Sequence, residues 1–100
     1  MSDKSEKAAY QEAVEARVQE LSAQIETLKA KANVAKADAK VKYQEQLGTL
    51  QAKQTELTDK LESMKGSAGN AWEQMKTGVE SAWKELQVAF DKAKSEFDDV

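Results

Sequence analysis

Asp98 beside Asp99, and Glu12 three residues before Glu15, are the carboxylate spacings in this chain that come closest to acid–base or divalent-cation chemistry. Such a pair works only where further groups converge on it and water is excluded. Both pairs lie in stretches patterned as solvated helix, so they are read as surface. The commoner chemical groups are missing: 0 His removes the usual general base and imidazole ligand, and 0 Cys removes thiol nucleophiles, thiolate zinc sites and disulfides. No catalytic, metal or cofactor residue is expected, and the chain is read as non-enzymatic. Lys29, Lys31, Lys36, Lys40 and Lys42 stand against Asp38 alone, a basic tract inside a chain of net charge -3. The tract suits an acidic partner in principle. Arg17 is the sole arginine, Tyr43 the sole nearby stacking ring, and the flanks are acidic, so nucleic-acid binding is not expected.

The elements that must carry these residues are helices. Ala, Glu, Lys, Leu and Arg make up half of the 100 residues, with 0 Pro and 4 Gly, a long-helix composition. Large aliphatic side chains are few, so any core is thin. From Tyr10 an apolar stripe recurs at spacings of three and four: Val14, Val18, Leu21, Ile25, Leu28, Ala32, Ala35, Ala39, Tyr43, Leu47, Leu50, Gln54, Leu57, Leu61, Met64. It predicts one continuous helix over 3–64, started by a cap at Ser2 or Ser5. A break near Asn33 to Asp38 would give three helices of similar length instead. Neither Gly nor Pro marks a turn there, which favours the long helix. Strong punctuation comes at 65–70, where Gly66 suits a left-handed helix end and Asn70 with Glu73 resembles a capping box. A second helix then spans 71–98, within a C-terminal segment 71–100. The expected fold is all-α: a single-domain antiparallel helical hairpin, or coiled coil, of one long and one shorter helix.

The second helix repeats every eleven residues: Ala71-Trp72, Met75, Val79, then Ala82-Trp83, Leu86, Phe90, then Ala93 and Phe97. Eleven residues over three turns hold the stripe nearly parallel to the helix axis. The Ala/Lys tract from Lys29 to Tyr43 and the Ala-Trp segments resemble short bacterial coiled-coil proteins without an assigned function. The eleven-residue repeat of 71–97 is similar to those of exchangeable apolipoproteins and late-embryogenesis-abundant proteins. The apolipoprotein resemblance implies coating of lipid; neither resemblance assigns a functional residue.

An antiparallel pair turning near Ser67 joins residues whose numbers sum to about 135. This register makes a seam of Leu47, Leu50, Leu57, Leu61 and Met64 with Trp72, Met75, Val79, Trp83, Leu86, Phe90 and Phe97. It sets Trp83 near Gln54 and Phe97 near Ala39, and lays Asp91, Glu96, Asp98 and Asp99 along the lysine tract. The shorter helix ends before reaching Val14, Val18, Leu21, Ile25 and Leu28. An amphipathic arm without a mate is poorly stable in water, so these five are expected to form an oligomer interface, most simply in a homodimer, parallel or antiparallel. No apolar run reaches the ~20 residues of a membrane span, and the residues Met1 to Glu6 lack the apolar core of a leader, so a cytoplasmic location is expected. The function expected is that of an oligomerising structural or adaptor protein acting through helical surfaces, on itself or another protein. The alternatives are an apolipoprotein-like coat for lipid or hydrophobic surfaces and a desiccation-protective chain, largely unfolded when dilute.

Overall fold

The computed structural model describes residues 3–98, and among them all regular structure is helical: α1 (Asp3–Asn33), α2 (Ala37–Lys65) and α3 (Ala71–Asp98). The expected 3–64 helix is therefore two helices of similar length, and the hairpin is an up-down-up bundle. The bend at 34–36 contains no Gly or Pro. α1 ends in tight turns, Val34 N–H to the Lys31 carbonyl (3.3 Å) and Ala35 N–H to that of Ala32 (3.2 Å). Lys36 then takes an extended conformation (φ -65°, ψ 154°) and starts α2 without a side-chain cap. The physical reason lies outside the bend. Folding α1 back buries a stripe of large apolar residues, each worth about 1.5–3 kcal/mol. The few helical hydrogen bonds given up are worth about 1 kcal/mol each. Burial outweighs the missing turn signal. The molecule is a rod with Cα extents of 53 × 17 × 16 Å.

The second connection follows the expected residues with different geometry. Gly66 is right-handed (φ -80°, ψ -6°), and the left-handed residue is Gly69 (φ 58°). The carbonyls that end α2 accept from Gly66 N–H at Glu62 (3.1 Å) and from Ser67 N–H at Met64 (3.1 Å), while Ser67 Oγ also donates to Met64 (2.6 Å). Asn70 meets Glu73 through the backbone, its carbonyl accepting the Glu73 N–H (3.1 Å). Ser2 lies outside the described residues, and Ser5 falls inside α1.

α2 and α3 pack closest, with α1 lying more lightly on both. Lys42 pairs with Glu96, Lys53 with Glu85, and Lys60 flanks Gly78, so facing residues sum to 138 and not to about 135. The shift has visible consequences. Met75 lines a shallow surface groove with Lys60 and Ser63 and is 39% exposed, so it leaves the predicted seam. Phe97 stacks on Tyr43 (3.9 Å between ring centroids) instead of facing Ala39. Gln54, expected beside Trp83, donates to Ser22 Oγ on α1. Leu47, Leu50, Leu57, Leu61, Met64, Trp72, Val79, Leu86, Phe90 and Phe97 are buried, joined by Ala82 and Ala93; Trp83 is half-buried. Asp99 lies outside the described residues.

Candidate functional site

The feature that most shapes this surface is the seat of α1 on the α2–α3 hairpin. The five residues expected to await another chain line that seat. Val14, Leu21, Ile25 and Leu28 are buried in the common core, and Val18 packs partly buried against it. The predicted oligomer interface is thus covered from within the same chain. Its stripe needed a partner, and the bend at 34–36 supplies α2 and α3 as that partner.

A polar clasp holds the N-terminal end of α1. Lys7 Nζ donates to the carbonyls of Lys65 (2.9 Å) and Ser67 (2.8 Å), placing an ammonium at the negative end of α2. Lys65 Nζ forms an ion pair with Glu15 and a longer one with Glu62 (3.4 Å). The Glu15 hydrogen bond is the main cause that raises the Lys65 pKa. Tyr10 completes the clasp. Its ring lies 6.2 Å from that of Trp72, with Lys76 Nζ 4.8 Å from the Tyr10 ring centroid and the hydroxyl 3.5 Å from Glu80 Oε1. Sequence reasoning placed Tyr10 on the stripe but missed Lys7. A lysine near the start of a helix carries no signal until the end of α2 is known to lie beside it.

Partial burial, then the Glu80 charge and its hydrogen bond, push the Tyr10 phenol up to about 12 from 10.0. The neutral phenol is therefore favoured by the fold. Its contribution is complete below pH 10 and is lost as the pH rises through 10 towards 12. The phenolate absorbance of the native chain should contain a late-titrating component that is lost in Tyr10→Phe. That variant should also lose the part of the alkaline fall in stability that belongs to Tyr10.

Midway along α1 the thin packing against α3 leaves an open cleft of about 500 Å³. Leu21, Trp83 and Phe90 bring core surface to it, while Arg17, Glu20, Gln24, Gln87 and Asp91 supply polar groups of both signs. Such a surface suits apolar contact framed by ion pairs. Because Trp83 is only half-buried, Trp83→Ala should cost about 2 kcal/mol, below the ~3–5 kcal/mol of a fully buried ring. Urea denaturation measures the loss, and Lys84→Ala on the exposed side of the same turn should be nearly silent. A cost at the full-burial level would place the indole inside the core.

Among the described residues no group of three or more His, Cys, Asp or Glu is arranged to hold a metal ion. Glu12 is exposed, and Glu15 is committed to Lys65. The lysine tract spans the end of α1, the bend and the start of α2, with Lys42 Nζ 3.7 Å from Glu96 Oε2. No described helix is long and apolar enough to cross a membrane. Comparison with protein-family models, curated proteins and solved structures finds no match to the chain.

Proposed function

We propose that this is a non-enzymatic cytoplasmic structural or adaptor protein that works by helix–helix association, with further copies of itself as its first partner. The observation that supports the reading is the incomplete closure of the bundle between α1 and α3, where Leu21, Trp83 and Phe90 line an open cleft. Leu21 and Phe90 are themselves buried, so the apolar surface that the cleft offers is chiefly that of the half-buried Trp83, and a tryptophan framed by polar groups is a common anchor of protein contact sites. Sedimentation equilibrium from micromolar to millimolar chain tests it. The expected result is an average mass that climbs above one chain as concentration rises. A one-chain mass throughout would refute self-assembly.

A second reading, an amphipathic bundle that opens onto lipid, draws support from a different observation. Trp72 Nε1 and Tyr43 Oη are buried without a hydrogen-bond partner. Each carries a desolvation penalty of about 1–3 kcal/mol, which opening would relieve. The α3 stripe of Trp72, Val79, Trp83, Phe90 and Phe97 would then lie at an interface, as amphipathic surface helices do. Flotation with phosphatidylcholine vesicles tests this reading: the protein should rise with the vesicles, and protein left in the dense fraction would refute it.

A further inference from the structure

Resting on the self-assembly reading, we infer that two copies of this chain associate by exchanging α1. The bend at 34–36 straightens into continuous helix, and each α1 occupies the seat on the other copy's α2–α3 hairpin. Four observations converge on this. The apolar stripe passes through the bend without losing its spacing: Leu28, Ala32, Ala35, Ala39 and Tyr43 stay three or four residues apart. A turn needs no such continuity, whereas a straight helix does.

The bend itself is weakly held. It contains neither Gly nor Pro, Lys36 supplies no side-chain cap to α2, and Val34 is 84% exposed. Straightening returns the orphaned groups at the two helix ends to ordinary helical hydrogen bonds. α1 is also the helix packed most lightly on the rest of the bundle.

Lastly, the seat is indifferent to which chain fills it. The clasp of Lys7 on the Lys65 and Ser67 carbonyls, the Glu15–Lys65 pair and the burial of Val14, Leu21, Ile25 and Leu28 all form equally with a neighbouring copy's α1. Closed monomer and exchanged dimer therefore differ mainly at residues 34–36 and in the entropy of association, the condition under which swapping is a low-cost route to dimers. Where the two straightened segments run antiparallel, Ala32, Ala35 and Ala39 provide small side chains for close approach, and salt screens the lysines beside them.

Proline at the first position of α2 separates the two states. Lys36 already has the extended conformation that a following proline requires, and proline is well suited to the first residue of a helix. Ala37→Pro thus fits the closed monomer. In the exchanged dimer it falls inside two continuous helices, and should weaken dimerisation by more than about ten-thousand-fold. Val34→Gly, at an exposed position, exchanges a weak helix former for a weaker one in both long helices and should weaken it about threefold.

The experiment uses the full chain in moderate salt at millimolar concentration, heated through its melt and cooled slowly, with mass read by light scattering after size exclusion. Ser22→Cys with Gln54→Cys, whose side chains meet between α1 and α2, gives two thiols in a chain that has 0 Cys. A short bis-maleimide then reports which chains they belong to on a denaturing gel. The expected result is a two-chain mass with covalent dimers on the gel, and a one-chain mass for Ala37→Pro with its helicity retained. A two-chain mass with only intrachain cross-links would overturn α1 exchange while leaving self-assembly standing. A one-chain mass for the native sequence would overturn both. If Ala37→Pro does not fold, Val34→Gly decides, and a Val34→Gly dimer as tight as the native one would overturn the exchange.

Discussion

Leu21→Glu combined with Ile25→Glu should dislodge α1 from the bundle, with the loss of most of the cooperative stability. Both residues are buried, Ile25 at 3% exposure, and both belong to the common core. Moving two carboxylates into that seat costs several kcal/mol apiece unless they are paired, against a total of about 5–15 kcal/mol for a typical domain. A detached α1 is an amphipathic helix without a mate and has little reason to stay folded. Far-UV circular dichroism should therefore lose a large part of the signal of the 31-residue α1, and proteases should cut within it. The same pair read as an exposed dimer interface predicts the opposite: full helicity, native melting and a halved mass. Native helicity and melting in the double variant would contradict the intramolecular seat.

Leu86→Ala should lower the unfolding free energy by about 2–5 kcal/mol, the range for a large aliphatic side chain deleted from a core that cannot collapse around the gap. Leu86 is 0% exposed and lies on the face of α3 that also carries Val79, Ala82, Phe90 and Ala93, all buried. Val88, two residues on and 69% exposed, is the internal control, and Val88→Ala should change stability by no more than about 0.5 kcal/mol. Urea denaturation of both variants measures the contrast. Equal losses would mean that the stripe of α3 does not face the core.

Most of the helical content and the inward faces were legible from spacing. Leu47, Leu50, Leu57 and Leu61 on α2, with Val79, Leu86 and Phe90 on α3, occupy the buried side that their recurrence implies. Met75 belongs to the same eleven-residue pattern yet is exposed, because which residue stands opposite depends on register. Register follows from the conformation of the 66–70 turn and the packing of the two helices, and the Lys53–Glu85 pair agrees with it. Spacing within one helix does not contain that information. The clasp was still less visible, since Lys7, Glu15 and Lys65 acquire their roles only when the end of α2 arrives beside α1.

Local sequence pattern already requires that the chain is helical, that α2 and α3 are joined by a glycine-bearing turn, and that Val14, Val18, Leu21, Ile25 and Leu28 must be covered by something. The pattern of apolar residues imposes each of these locally, through helical periodicity and the cost of leaving such a stripe in water. What covers that stripe is a matter of packing between distant helices. The stripe runs unbroken through 34–36, so local propensity favours a straight helix, and the bend exists because burial against α2 and α3 outweighs that preference. A straight helix satisfies the same stripe with a second chain. The choice between the two rests on the global balance between burial and association entropy, which no stretch of local sequence encodes.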